Sequence, residues 1–379
     1  MNRQIVHLDL DTFFVSVERL LNKDLIGKPV LVGGFSDRAV VASCSYEARK
    51  FGVHSAMPMR LARQLCPQAI VVRGDHDLYS KYSRMVTEII EERAPVVEKA
   101  SIDEHYIDVS GMDKFFGCWK WTRELRQRIM KETQLPISFG LSVNKTVSKI
   151  ATGEAKPNNE KKVDTGAEKL FLAPLSIRKI PMVGKKTYIQ LRNMGISKIQ
   201  TLQEMEADTM RRVLGQNGIS IWKKANGIDE TPVLPYSEQK CMSKERTFET
   251  DTIDMVLLKR VIVHMTDELS FELRSEKKLT GCITLKIRYS NFETFTKQMK
   301  IAYTCSDKTL TEKALELFQK LYSKRMLIRL IGIKFSDLVT GAYQLDLFHD
   351  VAEDLNLMQA MDGIRLRFGK DKIMRALSI

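Results

Sequence analysis

The spacing of apolar residues divides the chain before any chemistry is considered. Residues 4–11 (Gln4-Ile5-Val6-His7-Leu8-Asp9-Leu10-Asp11) read as a strand, and 12–21 continue with helical apolar spacing. Two short strands are expected at 28–32 and 39–42 around the Gly33-Gly34 turn. Helical spacing returns at 46–51, at 59–66, where Pro67 ends the helix, and over 78–93. The stretch 96–109 is apolar on both sides of Ser101-Ile102-Asp103-Glu104, which predicts a hairpin with Asp103-Glu104 at its tip. A helix at 119–134, a strand at 137–143 and a helix at 145–154 complete an α+β sheet domain over 1–165, with a helical insertion after the first strand.

Beyond residue 165 the pattern becomes helical, short-looped and basic. Ile180-Pro181-Met182-Val183-Gly184, then Lys185-Lys186 and a helix ending at Met194-Gly195-Ile196, has the form of a helix-hairpin-helix. Such a turn presents backbone N–H groups to a phosphate at a helix N-terminus, where the dipole favours anions. A second Gly-punctuated pair runs from Val213-Leu214-Gly215 to Ala225-Asn226-Gly227. Pro232 and Pro235 open a linker, and the order that follows is strand 243–249, helix 252–275, strands 279–290 and 294–303, helix 307–324, strand 327–336. A βαββαβ order predicts a four-stranded sheet with both helices on one face. Its open face carries Thr284, Lys286 and Arg288, with Thr296, Gln298 and Lys300 on the next strand, a set suited to phosphate contacts. The chain is therefore α+β and multidomain: 1–165, 166–236, a linker at 237–242, 243–340, and a tail at 341–379.

Composition narrows the classes. A chain of 379 residues suits two to four units at roughly 100–200 residues per domain. With 44% hydrophobic residues, 20 Gly and 10 Pro, it is neither disordered nor fibrous. No apolar run approaches the roughly 18 residues of a membrane span, and no signal segment opens the chain, so a soluble cytoplasmic protein is expected. Six scattered cysteines without CxxC argue against disulfides and structural zinc, and the six histidines give no HExxH. A bound metal is then expected to have oxygen ligands. The net charge of +13 divides as +4 over 1–165, +5 over 166–236, +5 over 237–340 and −1 over the tail. Excess spread over two consecutive modules suggests a polyanion gripped from several sides, with ordinary basic solubility the plainer alternative.

Asp9 and Asp11 are two apart on the first strand and share a face. Asp103 and Glu104 are adjacent and converge only at a tight turn. Carboxylates gathered at strand ends, without histidine or cysteine, describe a site for a hard cation such as Mg²⁺, completed by substrate phosphates. Asp11 precedes a helix and is read as its N-cap, leaving Asp9 for metal. Tyr46 and Arg49, three apart on one helical face, can reach one anion, and Lys156 supplies a point charge in a loop.

Together these residues resemble the Y-family DNA polymerases, in particular the DNA polymerase IV group. The resemblance spans nearly the whole chain, on five motifs in order: Asp9-Leu10-Asp11-Thr12-Phe13-Phe14; Ser43-Cys44-Ser45-Tyr46-Glu47-Ala48-Arg49-Lys50-Phe51-Gly52-Val53; Ser55-Ala56-Met57-Pro58; Ser101-Ile102-Asp103-Glu104-His105-Tyr106-Ile107-Asp108; and Ala155-Lys156-Pro157-Asn158. It implies a right-hand polymerase with palm (1–10 and about 76–165), small fingers (about 11–75), thumb (166–236) and little finger (243–340). It implies that Asp9, Asp103 and Glu104, with the Leu10 carbonyl, bind two Mg²⁺ ions, Asp103 and Glu104 being catalytic. Ser43, Tyr46, Arg49 and Lys156 hold the triphosphate, Phe14 is the steric gate against a ribose 2′-hydroxyl, and Phe13 lies beside it. Primer-template DNA is expected on Gly184, Lys185, Lys186, Thr284, Lys286 and Arg288. Gln344-Leu345-Asp346-Leu347-Phe348 resembles the peptide by which bacterial polymerases dock on the sliding clamp, with Gln344, Leu345, Leu347 and Phe348 as its contacts. The implied activity is low-fidelity synthesis past damaged template bases, without proofreading, by a monomer in the cytoplasm at the nucleoid. Two departures stand out: Met182 and Asn159 occupy positions where the family commonly has glycine.

Two other readings use fewer of these residues. A phosphatase of the haloacid-dehalogenase type also opens on a strand ending in DxD, but needs a hydroxyl residue where this chain has Phe13, and leaves Asp103 and Glu104 without a task. A non-enzymatic DNA-binding relative would usually lose a metal carboxylate, and none is missing.

Overall fold

The computed structural model describes residues 3–112, 117–235, 238–341, 351–369 and 372–373. The chain forms two compact units, 1–237 and 238–379. In the first, β1 (Ile5–Leu10) leads into α1 (Phe13–Leu21), then β2 (Val30–Gly33), β3 (Val41–Cys44), α2 (Tyr46–Arg49), α3 (Met59–Leu65) and β4 (Ile70–Val72). The main sheet resumes after α4 (His76–Glu91) with β5 (Val96–Lys99) and β6 (Glu104–Asp108), followed by α5 (Cys118–Thr133), β7 (Ile137–Ser142), α6 (Lys145–Ala155) and β8 (Glu160–Lys162). Its order is β5-β6-β1-β7-β8, which puts the carboxylate-bearing β1 at the centre.

The insertion after β1 is not purely helical. It carries its own sheet, β3-β2-β4, whose third strand pairs in parallel with β2. A separate apolar cluster around Leu31, Val41, Cys44, Ala48 and Met59 holds it together. The main core forms where β1, β6 and β7 meet α1, α4 and α5, with Leu8, Leu10, Phe13, Tyr79, Ile107, Ile129 and Phe139 fully buried or nearly so.

Helix α6 lies unusually close to the sheet because β7 carries Gly140. A Cβ there would stand 2.3 Å from the Ser148 carbonyl oxygen and 2.6 Å from the Thr152 nitrogen. The far side of α6 joins another core. Val147, Ile150 and Ala151 pack with Leu172, Ile177, Leu191, Ile199 and Ile221 of the helical segment that follows. That segment comprises α7 (Glu168–Leu172), α8 (Lys185–Asn193), α9 (Ile199–Glu204), α10 (Ala207–Leu214) and α11 (Gln216–Ala225). Its exit is pinned back onto the start of α6: Asn144 Nδ2 donates to the Gly227 carbonyl (2.7 Å), and Thr146 donates its hydroxyl to Asp229 (2.7 Å).

The second unit has β9 (Cys241–Thr252), α12 (Met255–Ser275), β10 (Lys278–Tyr289), β11 (Thr294–Thr304), α13 (Asp307–Leu321), β12 (Ile328–Thr340) and α14 (Val351–Phe368). The sheet order is β11-β10-β12-β9, all antiparallel. Ile283, Leu285, Ile287 and Tyr289 face a core shared with α12 and α13, as the alternation requires. Ion pairs join α14 to α12. Arg274 bonds Asp362 through two nitrogens (2.6 and 2.8 Å), and the buried Arg365 pairs with the buried Asp267 at 2.5 Å. Five cysteines are buried thiols, whereas Cys241 at the start of β9 is exposed.

Candidate active site

β1 ends at the site. Its neighbours across the sheet place Asp9 opposite Glu104 on one side and opposite Ser138 on the other. The Leu10 amide donates to the Asp103 carbonyl (3.0 Å), so the β5–β6 turn folds over the end of β1. Ser101 clasps that turn. Its hydroxyl donates to the Asp103 carboxylate at 2.6 Å and accepts from the Glu104 amide at 3.0 Å. The hairpin tip is therefore 100–103, with Asp103 in the turn and Glu104 one step inside it as the first residue of β6. The reversal between antiparallel β5 and β6 is thus what brings two adjacent carboxylates to the end of β1.

Lys149 of α6 and Lys156 at its C-terminal cap reach these carboxylates. Lys149 pairs with Glu104 and Lys156 with Asp9, the two lysines being seven residues apart and so on one helix face. Burial, with the negative charges of Glu104 and Asp103, pushes the Asp9 carboxyl up to about 7 against the pull of Lys156. Glu104 is held well below the usual carboxylate range: burial opposes its ionisation, but His7 and Lys149 facing it prevail. His7 is itself buried, which lowers its ring to about 4 and keeps it neutral; Nδ1 meets the Thr152 hydroxyl at 2.9 Å. Among the described residues no three acidic or imidazole side chains stand together as metal ligands. The donor set nevertheless fits a hard cation: oxygen only, at one strand end, with Asp9 under the negative charge of Glu104 and Asp103.

Asp11 does not cap the helix. α1 starts at Phe13, its N-cap is Thr12 in a left-handed conformation (φ 44°), and no side chain caps it. Asp11 instead is buried and accepts from three donors distant in sequence: the Tyr46 hydroxyl (3.1 Å), the Ser138 hydroxyl (2.7 Å) and the Asn158 amide (2.6 Å). Lys156 lies 3.5 Å from the same carboxylate. A local capping rule missed this because every partner is supplied by tertiary structure.

The residues read from the five motifs mostly share one cavity of about 150 Å³, lined among others by Asp9, Phe14, Ser43, Arg49, Asp103 and Lys156. Leu10 and Phe13 also border it. Tyr46 stands beside it with Arg49 above its ring at 5.0 Å. Its hydroxyl is turned to Asp11, and burial first, then the Asp11 charge, raises its pKa so that it stays a donor. α2, too short to hold by itself, is fixed by Ser45 accepting from the Ala48 amide and by the Arg19–Glu47 ion pair at 2.9 Å. Phe13 belongs to the core, 3% exposed, whereas Phe14 is only half-buried and presents its ring at the cavity. Lys149, His7 and Ser138 were not singled out from sequence; the available signals were the seven-residue offset of Lys149 from Lys156 and the two-residue offset of His7 from Asp9.

The other expected contacts are more dispersed. Gly184 is the N-cap of α8 and Lys185 and Lys186 its first turn, with no side chain closing the N-terminus. The element before it is a single 3-10 turn at Ile177–Lys179, not a full helix. Met182 adopts φ 79°, the left-handed region that glycine occupies without cost. On the open sheet face, Thr284 pairs with Gln298, Lys286 with Thr296 and Arg288 with Thr294. Thr284 is 8% exposed, Lys286 is paired to Glu245 at 2.7 Å, and Arg288 donates to the Thr294 hydroxyl at 2.9 Å. The peptide 344–348 lies outside the described residues. Among the described residues no helix is long and apolar enough to cross a membrane.

Residues 8–153 match the model of the impB/mucB/samB family, and 239–347 match that of the impB/mucB/samB family C-terminal domain. Among solved structures, the fold is similar to a Y-family DNA polymerase chimera of Dbh and Dpo4 (TM-score 0.77) and to DinB from Sulfolobus solfataricus (TM-score 0.61). Each is 26% identical, and each match covers 89% of this chain and 100% of the other. With its carboxylates at the end of β1 and its cations on α2 and α6, the chain belongs to the Y-family of DNA polymerases. Its likeness extends over most of its length to proteins named DNA polymerase IV. That of Dehalococcoides mccartyi is 38% identical over 371 residues, 97% of this chain and 95% of the relative. That of Treponema denticola is 36% identical over 329 residues, 86% and 83% of the two chains. It is thus a DNA-directed DNA polymerase of the translesion type, in the DNA polymerase IV group, acting on primer-template DNA with nucleotide substrates. Polymerases of this family use divalent metal ions, and the reading as an inactive DNA-binding relative is not favoured.

Proposed function

We propose that this polymerase binds two Mg²⁺ ions through Asp9, Asp103, Glu104 and the Leu10 carbonyl, and receives the incoming triphosphate on Ser43, Tyr46, Arg49 and Lys156. The observation that carries the reading is the single cavity on which β1, the β5–β6 turn, β3, α2 and the end of α6 all converge. When bound there, the metal ions supply charge that favours an ionised primer 3′-hydroxyl and a departing pyrophosphate. The 3′-oxygen bonds to the α-phosphorus, the α–β bridging oxygen leaves with the pyrophosphate, and the hydroxyl proton passes to solvent. Lys156, paired with Asp9 in the free protein, is then available to the phosphates. Arg49 is positioned for the same task by its place over Tyr46. Phe14 closes the space beside the sugar's 2′ carbon, and Phe13 supports it from the core.

In this reading 1–165 forms palm and fingers, 166–236 the thumb, 237–242 a linker and 243–340 the little finger. The N-terminus of α8 at Gly184, Lys185 and Lys186, and the open sheet face of Thr284, Lys286 and Arg288, take the phosphates of the duplex. Several basic contacts release counterions, so primer-template affinity falls steeply with salt. The enzyme works as a monomer at the nucleoid, without proofreading, and docks on the sliding clamp through Gln344, Leu345, Leu347 and Phe348. Primer extension tests the centre: wild type extends with Mg²⁺, and the Asp103→Ala/Glu104→Ala variant does not. Equal extension by the two removes the assignment of these carboxylates. For the peptide, undiminished clamp binding by Leu347→Ala/Phe348→Ala refutes its role.

A further inference from the structure

We propose that Glu18 is a positioning residue for sugar selection, which acts through Tyr79 to fix the ring of Phe14 at the nucleotide cavity. This rests on the assignment of Phe14 as the steric gate. A gate excludes a 2′-hydroxyl only if the blocking ring cannot yield by the width of one oxygen. Phe14 is half-buried in the first turn of α1, so its own packing leaves χ1 and χ2 incompletely fixed.

The rigidity comes from Tyr79. Its ring stacks on Phe14 with centroids 4.2 Å apart and planes within 11° of each other. His76 adds an edge contact to Phe14 at 5.7 Å and to Tyr79 at 5.9 Å. Tyr79 is fully buried, and the backbone behind it leaves no slack: a Cβ at Gly74 would meet the Tyr79 Oη at 3.2 Å and Cε2 at 3.3 Å. The Tyr79 hydroxyl donates to Glu18 Oε1 at 2.5 Å. Burial, then the hydrogen bond and charge of Glu18, raises the Tyr79 pKa, so the phenol remains the donor.

Glu18 and Phe14 are four residues apart and share one face of α1. A closed circuit results. The helix joins Phe14 to Glu18, the hydrogen bond joins Glu18 to Tyr79, and the stack joins Tyr79 to Phe14. Glu18 is 8% exposed within an apolar region, where an aliphatic side chain would pack with less desolvation cost. Unlike apolar packing, a hydrogen bond is directional. It sets the angle of the Tyr79 ring as well as its place, and that angle is passed to Phe14.

The test is single-nucleotide insertion with matched deoxy- and ribonucleoside triphosphates, read as the ratio of the two kcat/KM values. Phe14→Ala should collapse the ratio. Glu18→Ala should lower it about tenfold, the scale of one lost hydrogen bond. Glu18→Gln, whose amide oxygen still accepts from Tyr79, should restore it. Tyr79→Phe keeps the ring and removes the hydroxyl, so it should move the ratio as Glu18→Ala does, and it provides the reading if Glu18→Ala does not fold. A folded Glu18→Ala or Tyr79→Phe enzyme in which both constants fall together at an unchanged ratio overturns the inference. An unchanged ratio in Phe14→Ala overturns the gate assignment itself, and the inference with it.

Discussion

Asp11→Ala removes a carboxylate that is 1% exposed and serves the Tyr46 hydroxyl, the Ser138 hydroxyl and the Asn158 amide at 3.1, 2.7 and 2.6 Å. A buried donor left without an acceptor costs about 1 to 3 kcal/mol. Three of them, with partial relaxation of the shell, amount to about 3 to 6 kcal/mol. At about 2 to 4 °C per kcal/mol in a unit of this size, the transition of residues 1–237 should fall by at least about 6 °C. Asp11→Asn is milder. Its carbonyl can still accept from Ser138 and Asn158, and its NH₂ can donate to a reversed Tyr46 hydroxyl. What it loses is charge assistance and the contact with Lys156, about 1 to 2 kcal/mol. Calorimetric melting in EDTA is the appropriate assay, because a role as a scaffold is present without metal and a role as a ligand is not. Nucleotide insertion should weaken through KM, since Tyr46 and Lys156 lose their anchor. If Asp11→Ala melts as wild type does in EDTA and fails only in Mg²⁺-dependent insertion, the scaffold argument is wrong and Asp11 is a ligand.

Three further perturbations probe the frame around the site. Gly140→Ala puts a methyl group into backbone atoms of α6 at 2.3 and 2.6 Å. It should cost about 1 to 3 kcal/mol and reduce insertion by displacing Lys149 and Lys156, which melting and single-turnover kinetics would detect together. Met182→Gly relieves a left-handed residue (φ 79°) that is 61% exposed. It should stabilise the first unit by about 0.5 to 1 kcal/mol, and a lower melting temperature contradicts this. Arg365→Met strips Asp267 of its buried partner. It should cost about 3 to 5 kcal/mol and expose α14, seen as rapid amide exchange across 351–368; protection equal to wild type rules out the ion pair as the tether.

The second unit was legible almost element by element. Its strands β9 to β12 are long, antiparallel and alternating, so each carries its own signal. The two strands missed in the first unit, β4 and β8, are three-residue edge strands that pair in parallel. Parallel partners come from distant segments without a hairpin turn, and β8 is Glu160-Lys161-Lys162, with no apolar alternation at all. The convergence of Asp9, Asp103 and Glu104 at the end of β1 was legible because they sit in contiguous motifs. The roles of Asp11 and Glu18 were not, because the donors to Asp11 come from residues 46, 138 and 158 and the donor to Glu18 from residue 79. Local rules assign such a carboxylate to a helix cap or a solvated face; only the assembled core decides otherwise. Lys149 escaped for the same reason, as a lysine inside a helix with no neighbouring motif to mark it.

Helix α6 has a bearing on how these proteins can be recombined. One side carries Lys149 and continues to Lys156, while Val147, Ile150 and Ala151 complete the core of residues 167–225. The tie from Asn144 and Thr146 to Gly227 and Asp229 fastens the far end of that segment to the beginning of the same helix. A graft cut near residue 165 would therefore divide a core and sever a clasp. The unit that stays intact in a graft begins before Asn144, so any donor of a new 167–225 segment also brings both lysines that pair with Glu104 and Asp9. Exchange of that helical segment and exchange of the charges facing Asp9 and Glu104 are one inheritance event in this architecture.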